Sequence, residues 1–336
     1  MGFFEQAERH ALRSEIVLVD WNPPAGKPIL RDLYRWPKHS KFCSIRIILI
    51  PNLVHQRFKG WQKIPVNNDI AQNTAIKRAN GKFILSSTID VLLSDDLVRL
   101  IASENLLQDH LYRIDRSDVK RGVTGLRSLD EQLFYCQKNI FQVYRFDPVN
   151  PSLPVEGGFE PWSPFPNLKG FPALYTGGPG DFMLMAKDQW HKLRGFPEQS
   201  LLGGGLDILL AYMVYISGFK IESLSDKGRL YHIDHDTRFH SPEANWLSRS
   251  RLREILPKSV LEKIKTVFRR FVPATSEIEK LEINLMTWIE MENLIKAAAS
   301  EKRPFIFNDE TWGLGEEQFE EFIVTKAEGQ KVVAAV

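Results

Sequence analysis

FILSSTID, residues 83–90, begins as a buried strand and ends on a charge. Phe83, Ile84 and Leu85 form an apolar run behind the turn Asn80-Gly81, and Val91-Leu92-Leu93 resumes that run just past Asp90. A lone carboxylate inside a core is expensive, so Asp90 is expected at the mouth of a strand and outside the core. Upstream, Glu15–Val19 reads as a strand ending at Asp20, followed by the breaker Trp21-Asn22-Pro23-Pro24. Ile45–Ile50 reads as a second strand stopped by Pro51. Between these strands and residue 83 the spacing of Ile70, Asn73 and Ile76 predicts a helix over Asn67–Ala79, capped by Asn68 or Asp69. Ser94-Asp95-Asp96 caps another, with Leu97, Leu100 and Ile101 on its inner face. This alternation predicts a parallel, two-sided α/β sheet. Ligands of such sheets sit beyond the carboxyl ends of strands, where Asp20 and Asp90 both fall.

Further on, the pattern predicts a strand over Phe182–Met185, a helix over Lys187–Leu193, an apolar helix over Leu206–Ser217 and a strand over Arg229–His232. Pro148 to Pro179 holds eight of the nineteen prolines and reads as a lid or peripheral wrap. From Glu243 the reading is helical, with a capping box at Ser276 and Glu279. The expected layout is a catalytic domain over 1–242, a helical extension over 243–328 and a frayed tail over 329–336.

Composition narrows the class. The 336 residues are 43% hydrophobic and 26% charged, as in ordinary globular proteins, and the net charge of +2 gives no reason to expect nucleic acid. Cys43 and Cys136 are too few for a disulfide framework or a thiolate metal cage, so a reducing compartment is expected. No apolar run approaches a membrane span of about 18 residues, and the charged start does not read as a signal peptide. A cytoplasmic protein is expected. Lys263, Lys265, Arg269 and Arg270 are compatible with peripheral membrane contact, although a solvated face is the simpler reading. Oligomeric state is open.

Three clusters could carry chemistry. Thr88-Ile89-Asp90 is either a strand terminus with a turn cap or a ligand-binding acid. Asp207, behind Gly203-Gly-Gly-Leu, is either a helix cap or a base facing the cleft. Tyr231-His-Ile-Asp-His-Asp236 places two histidines within four residues among acids, which is either hydrogen-bonded packing or a ligand set.

Order and context add to these. Asn73-Thr-Ala-Ile76, Ala79-Asn-Gly-Lys-Phe-Ile-Leu85 and Asp90 resemble the glycosyltransferase family 2 pattern A-R-N-x-G-I-x-x-A-x-G-x-Y-I-x-x-L-D-x-D-D. Gly180-Asp181-Phe182, Leu193-Arg-Gly-Phe-Pro-Glu198 and Gly205-Leu-Asp207 resemble its second block, with the G-G-F-D-E turn and the E-D pair opening a helix. The match runs over roughly residues 15–235. Val19–Pro24, Thr88–Leu92, Tyr231–His235 and Phe307–Leu314 also resemble a bacterial subgroup bearing V-D-W-N-P-P, N-I-D-I-L and Y-H-I-E-H. The resemblance implies a GT-A fold: a Rossmann-like, mostly parallel central sheet flanked by helices, here with the helical C-terminal extension.

The resemblance also implies roles. Asp90 stands at the second acid of the family's D-x-D and would hold a divalent metal, Mn²⁺ or Mg²⁺; His232 or His235, from a second strand end, would add an imidazole ligand. Asp207 would be the general base. Asp20, Asn73, Thr88 and Asp181 would contact the nucleotide-sugar donor, Asp181 also being placed to orient an acceptor. The chain departs from the family in carrying Thr88 for the first acid and Leu206 in the E-D pair. It also begins within what reads as the helix after the family's first strand. Either a truncated form or an incomplete nucleotide pocket is therefore expected.

These residue types suit the chemistry. A nucleoside diphosphate leaves readily once its developing charge is neutralised by a hard cation on oxygen ligands, and a mixed Asp/His set suits Mn²⁺ better than Mg²⁺. The expected activity is an inverting hexosyltransferase type, moving a sugar to a hydroxyl of a surface polysaccharide or lipid-linked glycan. The alternatives are a metallohydrolase on His232-x-Asp234-His235, a nucleotidyltransferase, and a degenerate transferase that binds a glycan or protein partner without turnover.

Overall fold

A computed structural model describes residues 2–58, 61–62, 65–144, 180–198, 206–235, 288–301, 306–328 and 334–335. The strands are β1 (Ser14–Trp21), β2 (His39–Ser40), β3 (Cys43–Ile50), β4 (Phe83–Ser87), β5 (Val91–Leu93), β6 (His110–Arg113), β7 (Arg116–Val119), β8 (Ile140–Tyr144), β9 (Phe182–Ala186), β10 (Lys220–Ser223), β11 (Leu230–Ile233), β12 (Glu320–Ala327) and β13 (Ala334–Ala335). The helices are α1 (Gly2–Arg9), α2 (Leu30–Leu33), α3 (Asn52–His55), α4 (Asn68–Arg78), α5 (Asp95–Ala102), α6 (Leu129–Lys138), α7 (Lys187–Leu193), α8 (Leu206–Ile216) and α9 (Trp288–Ser300).

Among the described residues there is a large sheet in the order β10-β6-β9-β4-β13-β1-β3-β12-β2 and a small one in the order β5-β11-β7-β8. The middle of the large sheet, β4-β13-β1-β3, is parallel, as the alternation predicts. The whole sheet is mixed, because β9 joins β4 and β6 antiparallel and β12 joins β3 antiparallel.

Two-sidedness follows from the period-2 pleat. Along β4, Ile84 faces one core cluster while Phe83 and Leu85 face the other; along β9, Met183 and Met185 alternate with Phe182 and Leu184 in the same way. Ile70 and Ile76 of α4, Trp190 of α7 and Met213 of α8 cover the first face. Phe4 of α1 and Leu97 and Ile101 of α5 cover the second. Each such apolar side chain contributes about 1.5–3 kcal/mol by leaving water.

Three expectations are corrected. The α4 cap is Asn67, whose side chain accepts from the backbone N–H of Ile70, just before Asn68 and Asp69, the residues expected in that role. Within 243–328 the described residues include the helix α9, but also β12, which hydrogen-bonds along β3 in the large sheet. The run Phe322-Ile-Val-Thr325 is β-branched and aromatic, which suits a strand, and Thr325 is fully buried. Residues Ala334–Ala335, within the expected frayed tail, pair parallel with both β1 and β4. The Ser276 capping box and the whole proline-rich segment from Pro148 to Pro179 lie outside the described residues.

Candidate active site

Backbone register assembles the site. The chain leaves the large sheet at Ser87 and enters the small one at Val91, so Asp90 sits at the crossing. β5 runs antiparallel to β11 with Val91 opposite His232, and Ile233 N–H donates to Asp90 O at 2.8 Å. Asp90 is thereby brought beside the end of β11. In the large sheet Phe182 pairs with Ser87, which sets Asp181 against Thr88.

The side chains converge accordingly. Asp90 Oδ2 lies 2.9 Å from His235 Nε2 and 3.4 Å from His232 Nε2. One ligand atom from each of Asp90, His232 and His235 falls within 4.8 Å of the others. On the far side of the His232 ring, Nδ1 lies 3.1 Å from Asp118 Oδ1. Arg116 bonds Asp118 through Nε at 2.5 Å and Asp181 through a terminal nitrogen at 3.1 Å. Thr88 Oγ1 donates to Asp181 Oδ1 at 3.4 Å, closing the network.

Charge follows geometry. Burial opposes ionisation of His232, but the carboxylates of Asp118 and Asp90 outweigh it and raise its pKa to about 9. Burial likewise works against Asp90, while His232 and Thr88 hold its carboxyl well below the usual range. Asp118 is also lowered, with His232 and Arg116 overcoming burial. Asp181 is raised by burial despite Arg116 and His232.

A cation fits these residues. Asp90 Oδ1 is buried and has no hydrogen-bond partner among the described residues, the condition in which an ionised oxygen is most costly. One carboxylate and two imidazoles, with His235 side chain 47% exposed, form an open oxygen–nitrogen set that suits Mn²⁺ better than Mg²⁺.

Asp207, in the first turn of α8, stands next to Gly180, where an added Cβ would lie 3.6 Å from its own Cβ. It therefore adjoins Asp181. Asp20 and Asn73 are committed elsewhere. Asp20 accepts from Leu30 N–H at 2.7 Å at the carboxyl end of β1, two strand positions from β4 or about 10 Å. Asn73 is fully buried and bonds to Phe196 and Glu198. Trp21 donates to His55 Nδ1 at 3.0 Å and packs on Phe58, so it serves the core.

Three site residues escaped the sequence reading: Asp118, Arg116 and Asp69. Burial and the neighbouring Asp207 charge push the Asp69 carboxyl up to about 7, which marks a carboxylate pair where α4 and α8 begin. The signal for the other two was Arg116-Ser-Asp118, which places a base and an acid on one face of a strand.

No protein-family model and no curated protein matches the chain. Among solved structures, the crystal structure of GalNAc-T7 with UDP, GalNAc and Mn2+ aligns over 91% of this chain and 54% of that one, at 12% identity and a TM-score of 0.37. The chain thus spans about half the length of that protein, and a likeness of this degree fixes neither fold nor activity. No helix among the described residues is long and apolar enough to cross a membrane.

Proposed function

We propose that the chain is a metal-dependent glycosyltransferase of GT-A type that moves a sugar from a nucleoside-diphosphate donor to a hydroxyl. The observation that carries this reading is the convergence of Asp90, His232 and His235 around a buried, unpartnered carboxylate oxygen. The motif order around those residues, resembling glycosyltransferase family 2, supports the choice of reaction.

Asp90, His232 and His235 would hold Mn²⁺ or Mg²⁺, which when bound neutralises charge developing on the diphosphate. Asp207 accepts the proton of the acceptor hydroxyl as its oxygen bonds to the anomeric carbon. The bond from that carbon to the diphosphate oxygen breaks, and the nucleoside diphosphate departs with the electron pair. Attack opposite the leaving group inverts the centre. Asp181, fixed by Arg116 and Thr88 and adjoining Asp207, orients the reacting sugars. The acceptor class follows from the subgroup resemblance alone: a surface polysaccharide or a lipid-linked glycan.

The test is a thermal-shift panel of nucleoside diphosphates and their sugars, with and without Mn²⁺. A nucleotide that raises the melting temperature only with Mn²⁺, and loses that effect in Asp90→Ala, is the expected result. A panel with no shift removes the proposal and leaves binding of a glycan or protein partner without turnover.

A further inference from the structure

We infer that Asp118 is a positioning residue that selects which nitrogen of His232 faces the ligand cluster. The inference rests on the reading of Asp90, His232 and His235 as metal holders. Asp118 itself stands outside that set.

The placement is built into the backbone. β7 and β11 are parallel neighbours, and Asp118 is the register partner of His232. A directly opposed pair has its Cβ atoms close enough for side chains to meet, and a one-residue slip would turn both away. Both side chains are buried, Asp118 at 6% and His232 at 7% exposure. The imidazole thus stands between two carboxylates with distinct duties. Nε2 faces Asp90 Oδ2, which His235 also approaches, while Nδ1 faces Asp118 Oδ1 at 3.1 Å. The Nδ1 approach does not meet hydrogen-bond geometry, so the pair is held by the attraction of the Asp118 carboxylate for the Nδ1–H side of the ring.

A histidine ligand can present only one nitrogen to a metal, and the group facing its other nitrogen decides which. Asp118 can only accept, so it retains the proton on Nδ1 and leaves the Nε2 lone pair toward Asp90 and His235. Arg116 keeps that carboxylate in place. Its Nε bonds Asp118, and its other contact reaches Asp181, which ties the histidine to the transfer side of the site.

The test measures Mn²⁺ affinity of the full chain by electron paramagnetic resonance for wild type, Asp118→Asn, Asp118→Ala and Asp90→Ala. The expected order is a loss of about 10–100-fold in Asp118→Ala, a smaller loss in Asp118→Asn, whose amide oxygen still faces Nδ1–H but without the charge, and abolition in Asp90→Ala. Wild-type affinity in Asp118→Ala overturns the positioning role while leaving the metal site standing. No Mn²⁺ binding by wild type overturns the metal reading and this inference with it. Should Asp118→Ala not fold, the His232 ring of Zn²⁺-loaded wild type decides by long-range ¹H–¹⁵N correlation. Ligation through Nε2 with the proton on Nδ1 supports the role, and ligation through Nδ1 overturns it.

Discussion

Two buried polar networks in this molecule are built from similar side chains and end in opposite states. Around Asn73, the side-chain amide uses both its donors and its acceptor oxygen on three partner atoms. Its amide donates to Phe196 O and Glu198 Oε1 and accepts from Phe196 N, while Asn308 accepts from Glu198 N and donates to Arg194 O and Phe196 O. Glu198 also accepts from Gly313 N at 2.7 Å. Gly195 and Gly313 both have positive φ, and a Cβ on Gly313 would come within 2.6 Å of Asn73 O, so both turns close on the amide only with glycine. Around Asp90, by contrast, Asp90 Oδ1 is buried without a partner among the described residues, and His232 Nδ1 meets Asp118 without hydrogen-bond geometry. A complete network holds chain segments together; an incomplete one, maintained against its own desolvation cost, marks a place for something else.

The comparison can be broken at several points. The largest effect belongs to Asp207→Asn, expected to slow sugar transfer by about 10²–10⁴-fold while the Mn²⁺-dependent melting shift with donor persists. Rate assays beside thermal shifts read this directly, and an unimpaired enzyme removes Asp207 as the base.

Next comes Asn73→Ala. It orphans buried groups on Phe196 and Glu198 and is expected to cost about 3 kcal/mol of stability by urea denaturation. Its Mn²⁺ affinity should match wild type. A variant that keeps its stability but loses the metal would reverse the roles assigned to the two networks.

Glu8 offers a pH test of a complete network. Burial alone would raise its pKa, but the Ser40 hydroxyl and the backbone N–H groups of Lys41, Phe42 and Cys43 outweigh burial and hold it below 4.5. A depressed folded pKa contributes stability that is present above the unfolded value and lost as pH falls through the folded one. Glu8→Gln is therefore expected to cost about 1–2 kcal/mol at neutral pH, with the difference from wild type closing in acid below 4.5. A gap independent of pH would assign the clasp to shape rather than charge. The smallest effect is Asn67→Ala at the α4 cap, about 1 kcal/mol, seen as a small fall in melting temperature with Mn²⁺ affinity unchanged.

The sequence revealed these two networks unequally. β1, β3, β4, β9 and β11 were legible because each is an apolar run between clear stops, and the Asp90, His232 and His235 motifs stand at their ends. Asn73 was read as a donor contact although its spacing from Ile70 and Ile76 places it on the buried face of α4, where the clamp uses it. Asp118 was hidden because its importance lies in register: nothing local says that β7 will lie beside β11, and its strand carries no apolar run. β12 was hidden beneath a helical reading drawn from residues far upstream, although its β-branched run was visible.

β13 has a consequence for how the protein is made. Ala334 bonds to Ser14 on one side and to Phe83 on the other, so strands from the first third of the chain gain their shared neighbour only after residue 335 has been added. Pairings so distant in sequence face a large loop-closure entropy before any contact rewards them. A nascent chain would therefore carry a sheet with an open seam until residue 335 has emerged to close it.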